Sequence, residues 1–238
     1  YCLPCAGASA TMYLRWRRVL PAWVNVAPVE LPGRGMRLGE PFAEDFQTLV
    51  SQLCNEIAHG KSSRWAIFGH SMGALLAYGV TSRLQSMRAS IPAILFASGS
   101  PAPSLRDPDR LPDTDDDAAM IADLHQQGGT PQEVFDSPEL LRLTLDALWA
   151  DYRICKSFDY QRNAPLTVPM QVFSGRHDDI ASNRIEAWWD EAGDSFALHW
   201  FDGGHFFIRE NERQVLRIVE CSLREVIGEG RHASTVSA

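Results

Sequence analysis

The chain has 238 residues, of which 45% are hydrophobic, and a formal net charge of −8. This length and composition are typical of one globular domain that carries an insertion. The negative charge argues against nucleic acid and anionic membranes as partners, and no run of 18 apolar residues predicts a membrane span. The five cysteines are scattered and odd in number, which favours a reducing compartment, so we expect a cytoplasmic protein.

Strand and helix patterns alternate along the chain, as an open and largely parallel sheet requires. Tyr1 lies inside an initial strand pattern, so we expect that the native N-terminus is missing. The further predicted strands are residues 24–31, 65–68, 93–97, 169–174 and 196–201. The predicted helices are residues 46–59, a helix that follows the second of these strands and ends near residue 87, and residues 212–227.

Residues 69–73 read Gly-His-Ser-Met-Gly and lie between an apolar run and a helical pattern. A G-x-S-x-G nucleophile elbow requires this strand–turn–helix context. Small flanking residues let the strand and the helix approach, and the hydroxyl of Ser71 then projects at the carboxyl end of the sheet. We predict that Ser71 is a nucleophile; the alternative is an ordinary strand–helix turn.

Two later loops supply the partners that a serine nucleophile needs. Gly175 ends a predicted strand and is followed by Asp178 and Asp179, and two glycines after the next strand precede His205. The order serine, acid, histidine is that of α/β-hydrolases. A histidine must take the proton of Ser71, and an acid must fix the tautomer of that histidine. We predict His205 as the base and Asp178, three residues past Gly175, as the acid in preference to Asp179.

Two other readings of these residues stay open. His177, Asp178 and His205 could form a metal site, but the sequence lacks the usual H-x-H or H-x-x-x-H spacing, so we predict no metal. Cys2 and Cys5 have the C-x-x-C spacing of a redox pair, yet the following residues indicate a loop rather than the helix that such a motif opens.

The tetrahedral oxyanion of acyl transfer needs backbone N–H donors, each worth about 10²–10³ in rate. The first is the N–H of Met72, directly after the nucleophile. The second comes from the loop after an earlier strand, and we predict the N–H of Cys5, with Ala6 as the alternative.

Four motifs resemble those of type II thioesterases, the stand-alone α/β-hydrolases of nonribosomal peptide and polyketide assembly lines. They are L-P-C-A-G at residues 3–7, L-P-G-R-G at 31–35, G-H-S-M-G at 69–73 and G-G-H-F at 203–206. Arg37, Glu40 and Pro41 extend the second motif, which separates this family best from generic esterases. The chain departs from the family at Ala6-Gly7-Ala8, where two or three glycines are usual, so the loop is expected to be stiffer.

The resemblance implies hydrolysis of misprimed or stalled acyl groups from the phosphopantetheine arm of a carrier protein. It implies no cofactor of the enzyme's own, since the substrate carries the phosphopantetheine. The expected fold is the α/β-hydrolase fold: a mostly parallel central sheet with helices on both faces and a helical lid insertion. We expect the core at residues 1–100 and 165–230, the lid at 101–164 and a flexible tail at 231–238.

The interval between the strand at 93–97 and Met170 is too long for a simple crossover. Ser137 and Pro138 have the N-cap and first-turn positions of a helix, and the leucine-rich helix after them is apolar on more than one side. Such a helix buries two surfaces, so we predict a lid whose second surface lines an acyl chamber; the alternative is a thicker core. Residues 101–117 hold six aspartates and several prolines and indicate a mobile, solvated hinge.

Carrier proteins are usually acidic, so docking would need a local basic patch. Five arginines near the start of the chain, against two glutamates, form a candidate patch: Arg15, Arg17, Arg18, Arg34 and Arg37 against Glu30 and Glu40. The alternative is that these arginines satisfy their neighbours. We expect a monomer.

Three alternative functions remain at this level. A small-molecule carboxylesterase and a chain-terminating fatty acyl thioesterase would use the same triad. A hydrolase-fold binding protein that no longer reacts is the third, although an intact serine, aspartate and histidine argue against it.

Overall fold

The computed structural model describes residues 1–58, 64–112 and 116–235, with side chains as far as residue 228. Within these ranges, five parallel strands form one sheet in the order β1-β2-β3-β4-β5. Their bounds are Cys2–Leu3 (β1), Ile67–His70 (β2), Leu95–Ser98 (β3), Met170–Gly175 (β4) and Phe196–Phe201 (β5). Because all strands are parallel, their carboxyl ends and the loops that follow them share one edge of the sheet.

The helices differ in length from one turn to more than six. Their bounds are Trp16–Val19 (α1), Phe46–Ala58 (α2), Met72–Ser86 (α3), Asp117–Gln127 (α4), Gln132–Phe135 (α5), Pro138–Lys156 (α6), Ser182–Glu186 (α7), Phe207–Glu210 (α8) and Glu212–Thr235 (α9). In the part of the chain that the structure describes, none of these helices has the length and apolar character of a transmembrane span.

Side chains alternate between the two faces of the sheet along each strand. Ile67 and Met170 belong to a core cluster that includes buried residues of α2 and α3. Phe68 and Phe173 belong to a second cluster that includes Trp16 of α1 and buried residues of α9. Helices therefore cover both faces, and the predicted α/β architecture is confirmed.

The strand predicted at residues 24–31 is wrong. Only one isolated parallel bridge forms there, between Cys2 and Pro28. Ala27 accepts a hydrogen bond from the N–H of Cys2, and Val29 donates to its carbonyl oxygen. The backbone N of Pro28 faces away from β1, and β1 has only two residues, which leaves little backbone for further pairing.

Other boundaries shift by a few residues. β2 continues through His70, one residue before Ser71, because His70 pairs with Ser98 of β3. Helix α9 continues to Thr235, beyond the predicted end at residue 227. His59, at the predicted end of α2, and residues 236–238 of the predicted tail lie outside the described residues.

Residues 101–164 contain α4, α5 and α6. Helix α6 begins as predicted: the side chain of Ser137 accepts a hydrogen bond from the N–H of Leu140, and proline occupies the first turn. One side of α6 packs on α4 through a small apolar cluster, in which Leu148 and Tyr152 are buried. Ile154, near the end of α6, belongs to the main core instead. The helix thus buries two surfaces.

The first part of the hinge predicted at residues 101–117 has more local structure than the sequence indicates, although residues 107–110 are exposed as predicted. The N–H of buried Ala102 donates to the carbonyl of Arg184. Two 3-10 helices follow, at Pro103–Leu105 and Pro108–Arg110. Prolines favour these turns, and an ion pair between Asp107 and Arg184 ties them to α7. Residues 113–115 lie outside the described residues.

Candidate active site

Ser71 occupies the turn between β2 and α3. Its backbone angles are φ 56° and ψ −117°, a conformation that non-glycine residues rarely adopt. Two backbone hydrogen bonds maintain this strained conformation. The N–H of Ser71 donates to the carbonyl of Ser98 at 2.7 Å, and the carbonyl of Ser71 accepts from the N–H of Ala74 at 3.0 Å. The turn projects the hydroxyl beyond the sheet, at the N-terminus of α3.

Both glycines of the elbow are required by close backbone approach. A Cβ atom at Gly69 would collide with the carbonyl of Gly73, and one at Gly73 would collide with the carbonyl of Leu3. The strand, the helix and β1 therefore meet at distances that only glycine allows.

Asp178 and His205 lie side by side at the carboxyl ends of β4 and β5. Nδ1 of His205 is 2.8 Å from Oδ2 of Asp178. The Asp178 side chain is 1% exposed and that of His205 is 13% exposed. The carboxylate thus fixes the ring so that Nδ1 carries the proton and Nε2 is left to act as a base.

Asp179 and His177 face other partners. Asp179 forms an ion pair with Arg110 of the insertion, and hydrogen bonds from neighbouring groups outweigh its burial and lower the pKa of its carboxyl. His177 is exposed and lies 3.4 Å from Asp202. Of the candidate acids, the structure places Asp178 at His205. No group of three or more potential metal ligands occurs among the described residues.

His70, inside the elbow motif, is a buried packing residue. Its Nδ1 lies 3.0 Å from the hydroxyl of Ser98, and its ring centroid is 5.1 Å from that of His205. Burial, followed by the charges of His205 and Arg209, holds the pKa of His70 well below 6.5. The ring of His70 is therefore neutral, and it packs beside the ring of His205 without adding a charge there.

One cavity of about 640 Å³ is lined by the predicted site residues apart from Asp178. Ser71, Met72, Cys5, Ala6 and His205 all line it. The insertion supplies much of the opposite wall, including the apolar residues Leu111, Leu124, Val134 and Leu148. The structure thus brings the predicted nucleophile, the predicted base and the residues that carry the candidate oxyanion donors to a single chamber.

The thiols of the C-x-x-C motif are free and buried. Burial raises the pKa of Cys2, and it raises the pKa of Cys5 to about 12. A redox cysteine needs an accessible thiol with a lowered pKa. The surroundings of Cys2 and Cys5 are the opposite of those that redox chemistry requires.

Arg34 and Asp151 form a buried ion pair that the sequence analysis missed. Nη1 and Nη2 of Arg34 lie 2.5 and 2.6 Å from the two carboxylate oxygens of Asp151. Burial would lower the pKa of Arg34, but Asp151 more than offsets this and raises it. The signal that could have indicated a buried partner is that the residues three and four positions from Asp151 on either side are apolar: Ala147, Leu148, Ile154 and Cys155.

This pair also corrects the predicted basic patch. Arg34 is 6% exposed and cannot contact a docked protein. Arg37 pairs with Glu40 and Glu56, and Arg15 pairs with Glu212. Arg34 and Arg37 therefore satisfy carboxylates of the same chain, which is the alternative reading, whereas Arg15, Arg17 and Arg18 are exposed and the patch stays a prediction for these three.

Comparisons with known proteins identify the family of this chain. The family model of the thioesterase domain matches residues 1–223. LgrE of Brevibacillus parabrevis, which is named a linear gramicidin dehydrogenase, is 34% identical over 226 residues, which are 93% of this chain and 86% of that protein.

BorB and ClbQ are two of the solved structures that share the fold. BorB, the type II thioesterase from the borrelidin biosynthetic cluster, has a TM-score of 0.81 and 34% identity, covering 92% of this chain and 89% of its own. ClbQ, from the colibactin NRPS/PKS pathway, has a TM-score of 0.85 and 29% identity, covering 95% and 96%.

The family match spans residues 1–223, and the fold is shared with solved type II thioesterases. The resemblance to type II thioesterases is therefore confirmed, in spite of the dehydrogenase name of one relative. The chain belongs to the thioesterase domain family and is a thioester hydrolase.

Proposed function

We propose that this thioesterase hydrolyses misprimed or stalled acyl groups from the phosphopantetheine arm of carrier proteins in a nonribosomal peptide or polyketide assembly line. The observation that carries the proposal is the Asp178–His205 hydrogen bond in the chamber that Ser71 lines. The similarity to BorB and ClbQ, which belong to such biosynthetic systems by their descriptions, supports the substrate class.

The first step is acylation of Ser71. His205, oriented by Asp178, takes the hydroxyl proton as the oxygen attacks the thioester carbonyl. The oxyanion is stabilised by the N–H groups of Met72 and Cys5, with Ala6 as the alternative second donor. The C–S bond then breaks, and the pantetheine sulfur leaves and takes the proton from the imidazolium.

The second step releases the acyl group. A water molecule gives one proton to His205 and attacks the acyl carbonyl of the Ser71 ester. When the C–O bond breaks, the serine oxygen recovers that proton. The sum is thioester plus water giving free acid plus thiol, so no redox partner or cofactor enters the balance.

The chamber wall supports an acyl-binding role for the insertion. Leu148 and Tyr152 of α6 and Leu124 of α4 line the cavity beside Ser71. These side chains belong to the apolar cluster that joins α4 and α6. We assign residues 101–164 as the lid over a core formed by residues 1–100 and 165–230.

The experiment is a panel of carrier proteins loaded with acetyl, branched, aminoacyl and long fatty acyl groups. The loss of each acyl group is read from the intact mass of the carrier. We expect release of several short groups by the wild type and none above background by Ser71→Ala. Preference for long chains would indicate a fatty acyl thioesterase, and equal rates on matched oxygen esters would indicate a carboxylesterase.

We further propose that the enzyme works as a monomer in the cytoplasm, with carrier proteins as its partners. Five free cysteines, four of them buried, fit a reducing compartment. Sedimentation of the purified protein tests the oligomeric state; a stable dimer would contradict this part of the proposal.

A further inference from the structure

The buried pair of Arg34 and Asp151 has a third partner. Asp151 is 0% exposed, and its Oδ2 atom also accepts a hydrogen bond from the backbone N–H of Gly7 at 2.8 Å. Nη1 of Arg34, in turn, donates to the carbonyl of Ala8 at 3.4 Å. The carboxylate of Asp151 therefore binds the N–H of Gly7, and the guanidinium of Arg34 binds the carbonyl of the next residue, Ala8.

These backbone groups belong to the loop that carries the candidate second oxyanion donor. The loop closes on itself through a hydrogen bond from the N–H of Ala8 to the carbonyl of Cys5 at 3.2 Å. Gly7 has a φ of 72°, in the left-handed region, and a Cβ there would lie 3.3 Å from the side chain of Leu148. The orientation of the peptide groups before Gly7 thus depends on what fixes its N–H.

The acceptor that fixes this N–H comes from a distant element. Asp151 lies in α6 of the insertion, 144 residues from Gly7 in the sequence. Arg34 lies in the L-P-G-R-G motif, whose role the triad does not explain. A charged acceptor gives a stronger hydrogen bond than a neutral one, and the two bonds from Arg34 restrain the carboxylate in one orientation.

We propose that Asp151, held by Arg34, is a positioning residue that fixes the second oxyanion donor of this thioesterase through the N–H of Gly7. This rests on the proposed acyl-transfer mechanism. Asp151 touches neither substrate nor Ser71; it acts through the backbone of residues 5–7. The insertion then contributes to the transition-state site as well as to the chamber wall.

The test removes both charges together, because a single substitution would leave an unpaired buried charge and could unfold the protein. Arg34→Met with Asp151→Leu keeps an apolar pair, and Arg34→Gln with Asp151→Ala is a second version. Both remove the acceptor of the Gly7 N–H. We expect kcat to fall about 10–100-fold, the effect of a displaced oxyanion donor, while KM changes less than threefold.

Two further readouts separate positioning from a purely structural role. Affinity for a trifluoromethyl ketone that forms a tetrahedral adduct with Ser71 should fall by the same factor as kcat/KM. The rate of labelling by a fluorophosphonate should fall as well, and this readout needs no known substrate. If the wild-type enzyme is labelled by the fluorophosphonate but hydrolyses no thioester, this would contradict the proposed function and leave this inference intact.

The control is Thr81→Val, which removes a buried hydrogen bond of 2.8 Å to the carbonyl of Ala77, away from the chamber and without leaving a charge unpaired. We expect wild-type labelling and analogue affinity in this variant. Thermal melting identifies which double variant is folded at the assay temperature. Wild-type kcat and analogue affinity in a folded double variant would overturn the proposal, and so would an equal loss in Thr81→Val.

Discussion

The hydrogen bond between Asp178 and His205 joins two loops that are 27 residues apart in the sequence, at 2.8 Å. The neighbouring carboxylate of Asp179 points to Arg110 of the insertion instead. Two adjacent aspartates therefore have different partners, and the structure distinguishes between them where the sequence offered only a preference.

Replacement of these two aspartates should have unequal effects on turnover. Asp178→Asn removes the charge that fixes the tautomer of His205, so we expect kcat to fall about 10⁴-fold. Asp179→Asn breaks a partly exposed ion pair and should cost less than about tenfold. Steady-state hydrolysis of an acyl-pantetheine thioester measures both; a larger loss in Asp179→Asn would reverse the assignment of the acid.

The elbow should tolerate no side chain at Gly73. Gly73→Ala places a Cβ against the carbonyl of Leu3, so the free energy of unfolding should fall by about 1–3 kcal/mol or more. Gly39→Ala is the matched control, because a Cβ there meets nothing within 4 Å. Urea unfolding compares the two variants, and equal stability would mean that β1 and α3 are not as close as described.

Alkylation should distinguish the exposed cysteine from the buried ones. Burial raises the pKa of Cys5 to about 12 and of Cys155 to about 11. At pH 8 the thiolate fraction of Cys5 is then only about 10⁻⁴, so iodoacetamide should spare it. Cys221 is exposed and should react.

Peptide mass spectrometry reads the alkylated positions in the native and the urea-unfolded protein. We expect modification at Cys221 alone in the native state and at all five cysteines after unfolding. A disulfide between Cys2 and Cys5 after mild oxidation of the native protein would instead support the redox reading.

Acid should destabilise the protein through His70. Its pKa is well below 6.5 in the folded state, since the ring is buried. The unfolded chain takes up a proton on this residue as the pH falls below about 6.5, and the folded state does not, so the free energy of unfolding decreases there. Burial also lowers the pKa of His199, which adds to the same trend.

Melting temperatures between pH 8 and pH 5 test this linkage. We expect the melting temperature of the His70→Gln variant to fall less steeply between pH 8 and pH 5 than that of the wild type, whatever the stability of the variant at pH 8. An unchanged pH dependence in this variant would show that His70 is not held neutral in the folded protein.

Local patterns in the sequence predicted much of the fold and of the site. The elbow around Ser71 was predictable because its glycines and its strand–helix context lie within one short segment. The start of α6 was predictable for the same reason, since Ser137 caps the helix through a contact three residues away. The strand predicted at residues 24–31 failed because an apolar pattern does not determine how much partner backbone is available: β1 has only two residues, and one bridge forms.

The sequence alone determined which chemical groups this thioesterase has and the order in which they follow one another. Only the tertiary structure decided that Asp178 rather than Asp179 meets His205, that Arg34 is buried, and that Asp151 holds the N–H of Gly7. The physical reason is distance along the chain. Hydrogen bonds and ion pairs between remote segments depend on how the elements pack, and no local periodicity or spacing encodes them.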